Sequence, residues 1–363
     1  MLQSLRARVR YFDWTLFGVS LVLLTLGLVA IYSIDLNRGQ EFLNFRKQIA
    51  FAVAGIAVFL GIALVDWRFF RSMVWPLYGA GFLSLLGVMA TGDTHRATAS
   101  WFTFGGFALQ PVEFAKVILI LTLAFYFSKN GFLPSIKTVA QSFALFAGYF
   151  IPVLLQPDLG GAGMLFFIWI FMLLFLRLPR RYWLILIFTG IAVAIVSWAF
   201  VFKDYQRERV LVFLDPGRDA LHRGYNVTQS LVAVGSGGMF GRGLGGGSQS
   251  QLRFLPEAQT DFIFAVLAEE LGFAAIILLL CAYGFLLYRL SEAASRTTDN
   301  FPLFVIVGAM AFFGMEAVAN MGMNLGLLPI AGLTLPLVSY GGSSLLSKCM
   351  LLGIVQSMRI RSY

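Results

Sequence analysis

Charge is the property this sequence has least of. Of its 363 residues only 12% are Asp, Glu, Lys or Arg, while 59% are hydrophobic and the mean hydropathy is +0.81. Soluble domains carry about 25% charged residues, so a water-soluble globular fold is excluded. Cysteine is also scarce. Cys281 and Cys349 are the whole complement, and both fall in apolar stretches where a thiol behaves as a small hydrophobe. That argues against a disulfide framework and against a thiolate metal site. No Walker or dinucleotide glycine spacing is present. No internal repeat of useful strength is present either, which disfavours an inverted-repeat transporter. The basic N-terminal MLQSLRARVR lacks a small-residue cleavage site, and the apolar run behind it is too long for a signal-peptide core. It reads as a retained first span.

What the sequence has in abundance is apolar runs long enough to cross a hydrocarbon layer of about 30 Å. They predict ten transmembrane helices, near 14–34, 48–65, 72–90, 111–128, 138–155, 160–176, 182–201, 261–288, 302–322 and 337–357. The expected fold is an all-α polytopic bundle forming one membrane domain over 1–363. One set of termini and loops collects Arg6, Arg8, Arg10, Arg68, Arg71, Lys129, Lys137, Arg177, Arg180, Arg181, Arg289, Arg296, Arg359 and Arg361. The opposite short loops hold only Arg38, Arg46, Lys47 and Arg96. The positive-inside rule therefore predicts that both termini are cytoplasmic. These orienting residues account for much of the net charge of +9, which calls for no nucleic-acid partner.

One connection differs from the rest. Residues 202–260 form a long loop on the outer side, and loops of that length are functional or disordered. Its tract GSGGMFGRGLGGGSQSQ, 235–251, has the composition of a flexible linker, and it could also bring backbone N–H groups close to a phosphate.

Ionisable groups at membrane depth mark a functional site or a buried pair. In LQPVEFAK, 109–116, Pro111 suits a first helical turn and Glu113 is favoured there by the dipole. Glu113 and Lys116, three apart, can pair on one helical face or face a substrate. Asp158 of QPDLGG stands in a short outer turn, where an acid can cap a helix. Asp261 opens the eighth span. If the helix starts there, Ala265, Ala268 and Gly272 share its face, a small-residue surface suited to close packing or to a ligand beside the carboxylate. In PLVSYGGSSLLSKCM, 336–350, glycines and serines interrupt a span that goes on to bury Lys348, so a broken or close-packed helix is expected. Counting depth at about 1.5 Å per residue, Lys348 is expected to pair with Glu269 or Glu270, with Glu316 shallower and next in line. Glu113, Lys116, Asp158 and Asp261 are expected to surround one outward-opening cavity.

LPEAQTDFIFAVLAEELG, QPDLGG, LQPVEFAK and LTLPLVSYGGSSLL, in this order and over essentially the whole chain, resemble the shape, elongation, division and sporulation (SEDS) family of bacterial peptidoglycan glycosyltransferases. YQRERVLVFLDPGRD, GSGG and SQSQLRFLPE resemble its elongation members more than its division members, while LTLPLVSYGGSSLL leans the other way. Two departures stand out. Ser100 precedes Trp101 where the family has a basic residue, leaving His95 or Arg96 to supply the charge, and Gly161 replaces the family's Thr.

The resemblance implies polymerisation of lipid II at the outer face of the bacterial cytoplasmic membrane. A sugar hydroxyl attacks the anomeric carbon of a second lipid-linked disaccharide and undecaprenyl pyrophosphate departs. A good leaving group needs no acid to protonate it, so one base suffices. The resemblance assigns that base to Asp261. The developing pyrophosphate charge can be met by Arg46, Lys47, Lys116, Arg209 and Arg223, or by a divalent cation, Mg²⁺ or Mn²⁺. Glu113, Asp158 and Ser343 complete the expected substrate-binding set. The implied partner is a class B penicillin-binding protein, the crosslinking transpeptidase of the elongation machinery. A division-type polymerase and a flippase for lipid-linked precursors are the alternative readings.

Overall fold

Ten long helices among the described residues occupy the ten stretches that the apolar runs predict. The computed structural model describes residues 11–36, 42–91, 93–95, 98–104, 107–132, 134–196, 207, 211–213, 223–252 and 254–361. In chain order the helices are α1 Trp14–Leu36, α2 Leu43–Leu64, α3 Trp67–Ser72, α4 Val74–Thr91, α5 Pro111–Asn130, α6 Ile136–Leu155, α7 Leu159–Leu174 and α8 Arg180–Val196. They continue with α9 Arg223–Ser236, α10 Ser248–Gln251, α11 Ile263–Ser295, α12 Asn300–Asn324 and α13 Gly342–Ile360. Six of them, α1, α2, α5, α6, α11 and α12, are each long and apolar enough to cross a membrane, and α4 and α7 are shorter apolar helices. Helices dominate because hydrocarbon offers no partner to a backbone N–H or C=O, so each spanning segment must satisfy its own.

Local chemistry sets several of the boundaries. Pro111 sits at the start of α5, where its missing N–H costs nothing. Ser135 caps α6 by accepting from Thr138 N, and Asp158 caps α7 by accepting from Gly161 N at 2.8 Å. Two of the boundaries that differ from expectation bear on the middle of the bundle. α11 begins two residues past Asp261 and contains a break at Gly272, whose φ of 75° is non-helical. α13 starts at Gly342 and not at 337, because Leu337 (φ 64°) and Gly341 (φ 155°) are left-handed and end any helical path through them.

A small antiparallel sheet, β1 Asp93–His95, β2 Thr98–Phe104 and β3 Phe107–Leu109, joins α4 to α5 in the order β1-β2-β3. The helical expectation did not include it. β2 packs on α4 and β3 on α13. His95 lies in β1, opposite Thr98, and Arg96 lies outside the described residues. α8 presents Leu184, Ile187, Phe188 and Ile195 as exposed side chains and stands largely clear of the other helices.

Both ends of the described chain lie at one face. Asp13, just ahead of α1, pairs with Arg289 of α11 at 3.0 Å and with Arg359 of α13. Arg361 donates to the Leu64 carbonyl at the end of α2 at 2.7 Å. At the opposite, loop-bearing face α13 starts low. Gly342 packs against Phe51, eight residues or about 12 Å below the start of α2. Val338, four residues earlier, lies deep as well: a Cβ on Gly27, midway along α1, would stand 2.2 Å from its carbonyl oxygen. The segment between α12 and α13 therefore dips into the bundle as irregular backbone.

Two outcomes follow from these contacts. Gly27→Ala forces the Val338 backbone away from α1 and is expected to lower stability by about 1–3 kcal/mol, measured by thermal unfolding in detergent. Burial alone would raise the Asp13 carboxyl, but hydrogen bonds from Thr15 and Leu16 with the charges of Arg359 and Arg289 hold it below its ordinary 3.8. A carboxyl depressed on folding adds stability above its unfolded value and loses it as pH falls through the folded one. The stability gap between wild type and Asp13→Asn is thus expected to be full at neutral pH and to close below about pH 4, read from unfolding midpoints at a series of pH values.

Candidate functional site

Irregular backbone at membrane depth is tolerated only where protein or water satisfies it, and the dip is lined accordingly. Ser339 Oγ accepts from Leu335 N at 2.8 Å, and Gln48 of α2 donates to Ser339 O while accepting from Gly341 N. Tyr283 of α11 donates its hydroxyl to the Pro336 carbonyl. The turn that carries Asp261 is bound to this same segment. Tyr340 N donates to Gln259 O at 2.8 Å and Ser339 Oγ to Thr260 O at 2.6 Å. The Asp261 carbonyl accepts from two carboxamides on α12, Asn320 Nδ2 at 3.0 Å and Asn324 Nδ2 at 2.9 Å. Three consecutive carbonyls are thus held from outside their own element. The Asp261 carboxylate lies beside Gly332, whose missing Cβ would stand 3.8 Å from Oδ2, and the residue is 8% exposed.

Closer to the middle of the bundle, four charged side chains from three helices close a ring. Lys116 bridges Glu113 at 2.7 Å and Glu316 at 3.0 Å, and Lys348 bridges the same two acids at 3.4 and 2.8 Å. Two cations alternate with two anions, so the ring is neutral. Phe312, one turn before Glu316 on α12, sets its ring 5.0 Å from Lys116 Nζ and 5.2 Å from Lys348 Nζ. Lys348 and Glu316 are fully buried and Lys116 is 1% exposed. On the terminal side the packing continues through Ile120, Leu123, Leu352 and Val355, all fully buried.

The expected partners of Lys348 are therefore corrected. Lys348 meets Glu316 and Glu113, and Glu269 and Glu270 are engaged elsewhere. The Glu269 carboxylate accepts from Gln249 N at 2.8 Å and Ser250 N at 3.1 Å, and Glu270 from Ser250 Oγ and Gln251 Nε2. The depth count failed because depth does not say which side chains face one another: α5 and α12 present Glu113 and Glu316 to Lys348, whereas Glu269 and Glu270 face residues 249–251. Two residues past Glu270, α11 breaks at Gly272. The glycine tract fills the break. Arg242 N and Gly243 N donate to the carbonyls of Glu269 and Glu270, while Phe273 N and Ala274 N donate to Gly238 O and Met239 O. A Cβ at Gly272 would stand 2.2 Å from Gly241 N, and one at Gly237 would stand 1.8 Å from Ala268 O. The tract is thus a close-packed splice and not a flexible linker; Ala268 packs against it, and Ala265 is buried in a cluster with Ile34, Ala233 and Leu255.

Of the other candidates, Glu113 and Lys116 are committed to the ring and Asp158 to its cap. Ser343 Oγ accepts from Gln110 N at 3.0 Å, tying α13 to the start of α5. Arg46 is exposed and Lys47 half-buried at the start of α2, next to Gln48, which reaches the dip. Arg223 is the first residue of α9, and Arg209 lies outside the described residues. Of the four groups expected in one cavity, Glu113 and Lys116 meet in the ring. The dip connects all four in series: Gly160 of α7 packs on the Ala331 carbonyl, Gly332 faces Asp261, Thr334 bonds Ser344, and Ser344 bonds Lys348. Sequence reasoning missed Gln48, Asn320, Asn324 and Ser339. The signal for two of them was present, since Glu316, Asn320 and Asn324 recur every four residues in an otherwise apolar helix and so share one ridge. Among the described residues no three His, Cys, Asp or Glu side chains group as a metal site.

The ring makes a prediction about stability. Lys348→Met leaves Glu113 and Glu316 sharing one lysine and is expected to cost about 3–5 kcal/mol, the usual penalty for stranding a buried charge. Lys348→Met combined with Glu316→Leu, which leaves the neutral Glu113–Lys116 pair, is expected to recover most of that loss in the same detergent unfolding assay.

Known proteins share this architecture. Residues 13–363 match the family model FtsW/RodA/SpoVE, described as a cell cycle protein. The peptidoglycan glycosyltransferase MrdB of Escherichia coli K12 is 36% identical over 96% of this chain and 93% of its own length. A probable peptidoglycan glycosyltransferase FtsW of Thioalkalivibrio sulfidiphilus is also 36% identical, over 92% of this chain and 86% of its own. Among solved structures, a chain from a peptidoglycan synthase complex coordinating polymerization and crosslinking superposes with a TM-score of 0.84 at 32% identity, covering 97% of this chain and 98% of its own. The rod shape determining protein RodA of Thermus thermophilus superposes at 0.73 with 29% identity and the same coverage. A family model that runs from the residue before α1 to the last residue, together with relatives aligned over nearly their full length, makes this chain a member of the FtsW/RodA/SpoVE family of multi-pass membrane proteins.

Proposed function

We propose that this chain is a peptidoglycan glycosyltransferase that polymerises lipid II at the outer face of the cytoplasmic membrane, with Asp261 as its general base. The observation that carries the reading is the placement of Asp261: a carboxylate held at the margin of a polar dip in an apolar bundle, on a turn whose three carbonyls are fixed from outside. A fixed carboxylate can take the proton of an acceptor sugar hydroxyl as that oxygen bonds to the anomeric carbon of the donor, and the anomeric bond to pyrophosphate breaks. Exposed Arg46 and half-buried Lys47 stand at the same face to meet the departing pyrophosphate, with Arg223 and Arg209 of the loop as further candidates. A divalent cation, Mg²⁺ or Mn²⁺, would draw on the Asp261 carboxylate alone among the acids placed here and would neutralise pyrophosphate charge.

The charge asymmetry of the loops supports a topology with both termini in the cytoplasm. Elongation is favoured over division by YQRERVLVFLDPGRD and SQSQLRFLPE. A class B penicillin-binding protein is the natural partner, supported by the solved synthase complex that this chain superposes on. A flippase would need a polar route through the bundle. The neutral ring and the buried apolar layer beneath it speak against one.

Purified protein, with and without its transpeptidase partner, is expected to convert lipid II into glycan strands in the presence of moenomycin. Asp261→Asn keeps shape but cannot accept a proton at neutral pH. It is expected to reduce the rate by about 10²–10⁴-fold with unchanged unfolding midpoint and partner binding, and a rate above a few per cent of wild type removes Asp261 as base. Lipid II translocation without any glycan product would favour the flippase.

A further inference from the structure

The Asn320 and Asn324 carboxamides have no place in the chemistry described so far, yet both are fully buried and both spend a donor on one atom, the Asp261 carbonyl oxygen. They stand four residues apart on α12 and so act from one ridge. Each is itself fixed. Asn320 Nδ2 also donates to Leu333 O at 2.6 Å, in the dip beside Gly332, and Asn324 Nδ2 also donates to Asn320 O at 2.8 Å. Ser230 of α9 donates to the Asn324 carbonyl at 2.9 Å and lies 3.3 Å from its Oδ1. Capping does not require this arrangement. The Asp261 carbonyl precedes α11, and one donor or a water would satisfy it. Two donors converging on one acceptor fix a direction as well as a bond. The carbonyl shares its Cα with the carboxylate, so the pair fixes the backbone from which the carboxylate projects. The Asn320 bond to Leu333 O ties that direction to the wall of the dip that the carboxylate faces.

We propose that Asn320 and Asn324 are positioning residues for Asp261, holding its carboxylate in register with the Gly332 wall so that it meets the acceptor hydroxyl in line. The inference rests on Asp261 acting as the base. A pair that orients a base acts on the transition state and not on ground-state binding, so its loss lowers kcat and kcat/KM together and leaves KM alone. A misplacement of about 1 Å is enough to cost on the order of 10²-fold.

The test uses the full-length protein with lipid II, comparing Asn320→Leu and Asn324→Leu with the smaller changes Asn320→Ser and Asn324→Ser, each corrected for folded fraction by size-exclusion and unfolding midpoint. Ser142→Ala serves as the control, because it removes a fully buried acceptor of the Trp169 indole N–H in the α6–α7 contact, remote from Asp261. It is expected to lower the midpoint with kcat per folded molecule unchanged. The positioning role is supported if the Asn variants lose about 10–100-fold in kcat per folded molecule with KM within about twofold of wild type. It is overturned if any folded Asn variant keeps wild-type kcat, or if KM rises while kcat holds. Asp261→Asn, run in parallel, separates the two readings. A fully active Asp261→Asn removes the base assignment itself, whereas an inactive one beside active Asn variants removes only the positioning role.

Discussion

A backbone group that enters a bilayer without a partner costs several kcal/mol, and this molecule sends a non-helical segment to the middle of its bundle. Much of the fold follows from meeting that demand. Gln48 on α2, Tyr283 on α11, Asn320 on α12, and Ser339 of the segment itself direct polar atoms at one strand of irregular chain. Those side chains are spread over the chain, so the dip is possible only when the helices that carry them have assembled. Asp261 is positioned by the same set of bonds. The turn that carries Asp261 and the irregular segment are therefore one structure, and neither can shift without exposing acceptors of the other.

The ion ring extends this coupling downward. Buried ion pairs are weak evidence for stability, because desolvation offsets much of their attraction, but they are selective about partners. Here α5, α12 and α13 each bring at least one member, and Ser344, one turn before Lys348, links the ring to Thr334 of the dip. A slip of any one helix by a residue would separate unlike charges in a medium that screens them poorly. The splice at Gly272 does for backbone what the ring does for charge, since the carbonyls of Glu269 and Glu270 find donors in the glycine tract and not in their own helix.

The fold was largely legible in the sequence because apolar length is a strong signal in lipid. All ten expected spans overlap helices, and the cap at Asp158 sits where residue type places it. Asp158 and the Glu113–Lys116 pair were also readable, because capping and three-residue spacing are local. Lys348 was misassigned for the opposite reason. Its partner depends on which helix faces pack side by side, and that is not encoded within a window of a few residues. The small sheet at 93–109 was lost among short polar runs without a clear period. Asn320 and Asn324 were overlooked because attention went to charge, although a four-residue polar ridge on an apolar helix carries the same kind of information.

The neutral ring also constrains how the protein is made. Glu113 and Lys116 reside on one helix and can enter lipid already paired, but Glu316 and Lys348 arrive separately, on two later spans. Each of those spans alone would place a lone charge near the bilayer centre, at about 2.5–3.5 kcal/mol on insertion scales. Joined, their charges cancel against each other and against the pair waiting on α5. The α12–α13 hairpin is therefore best released from the translocation channel as a unit, which makes the integration of α13 depend on α5 and α12 being in place before it.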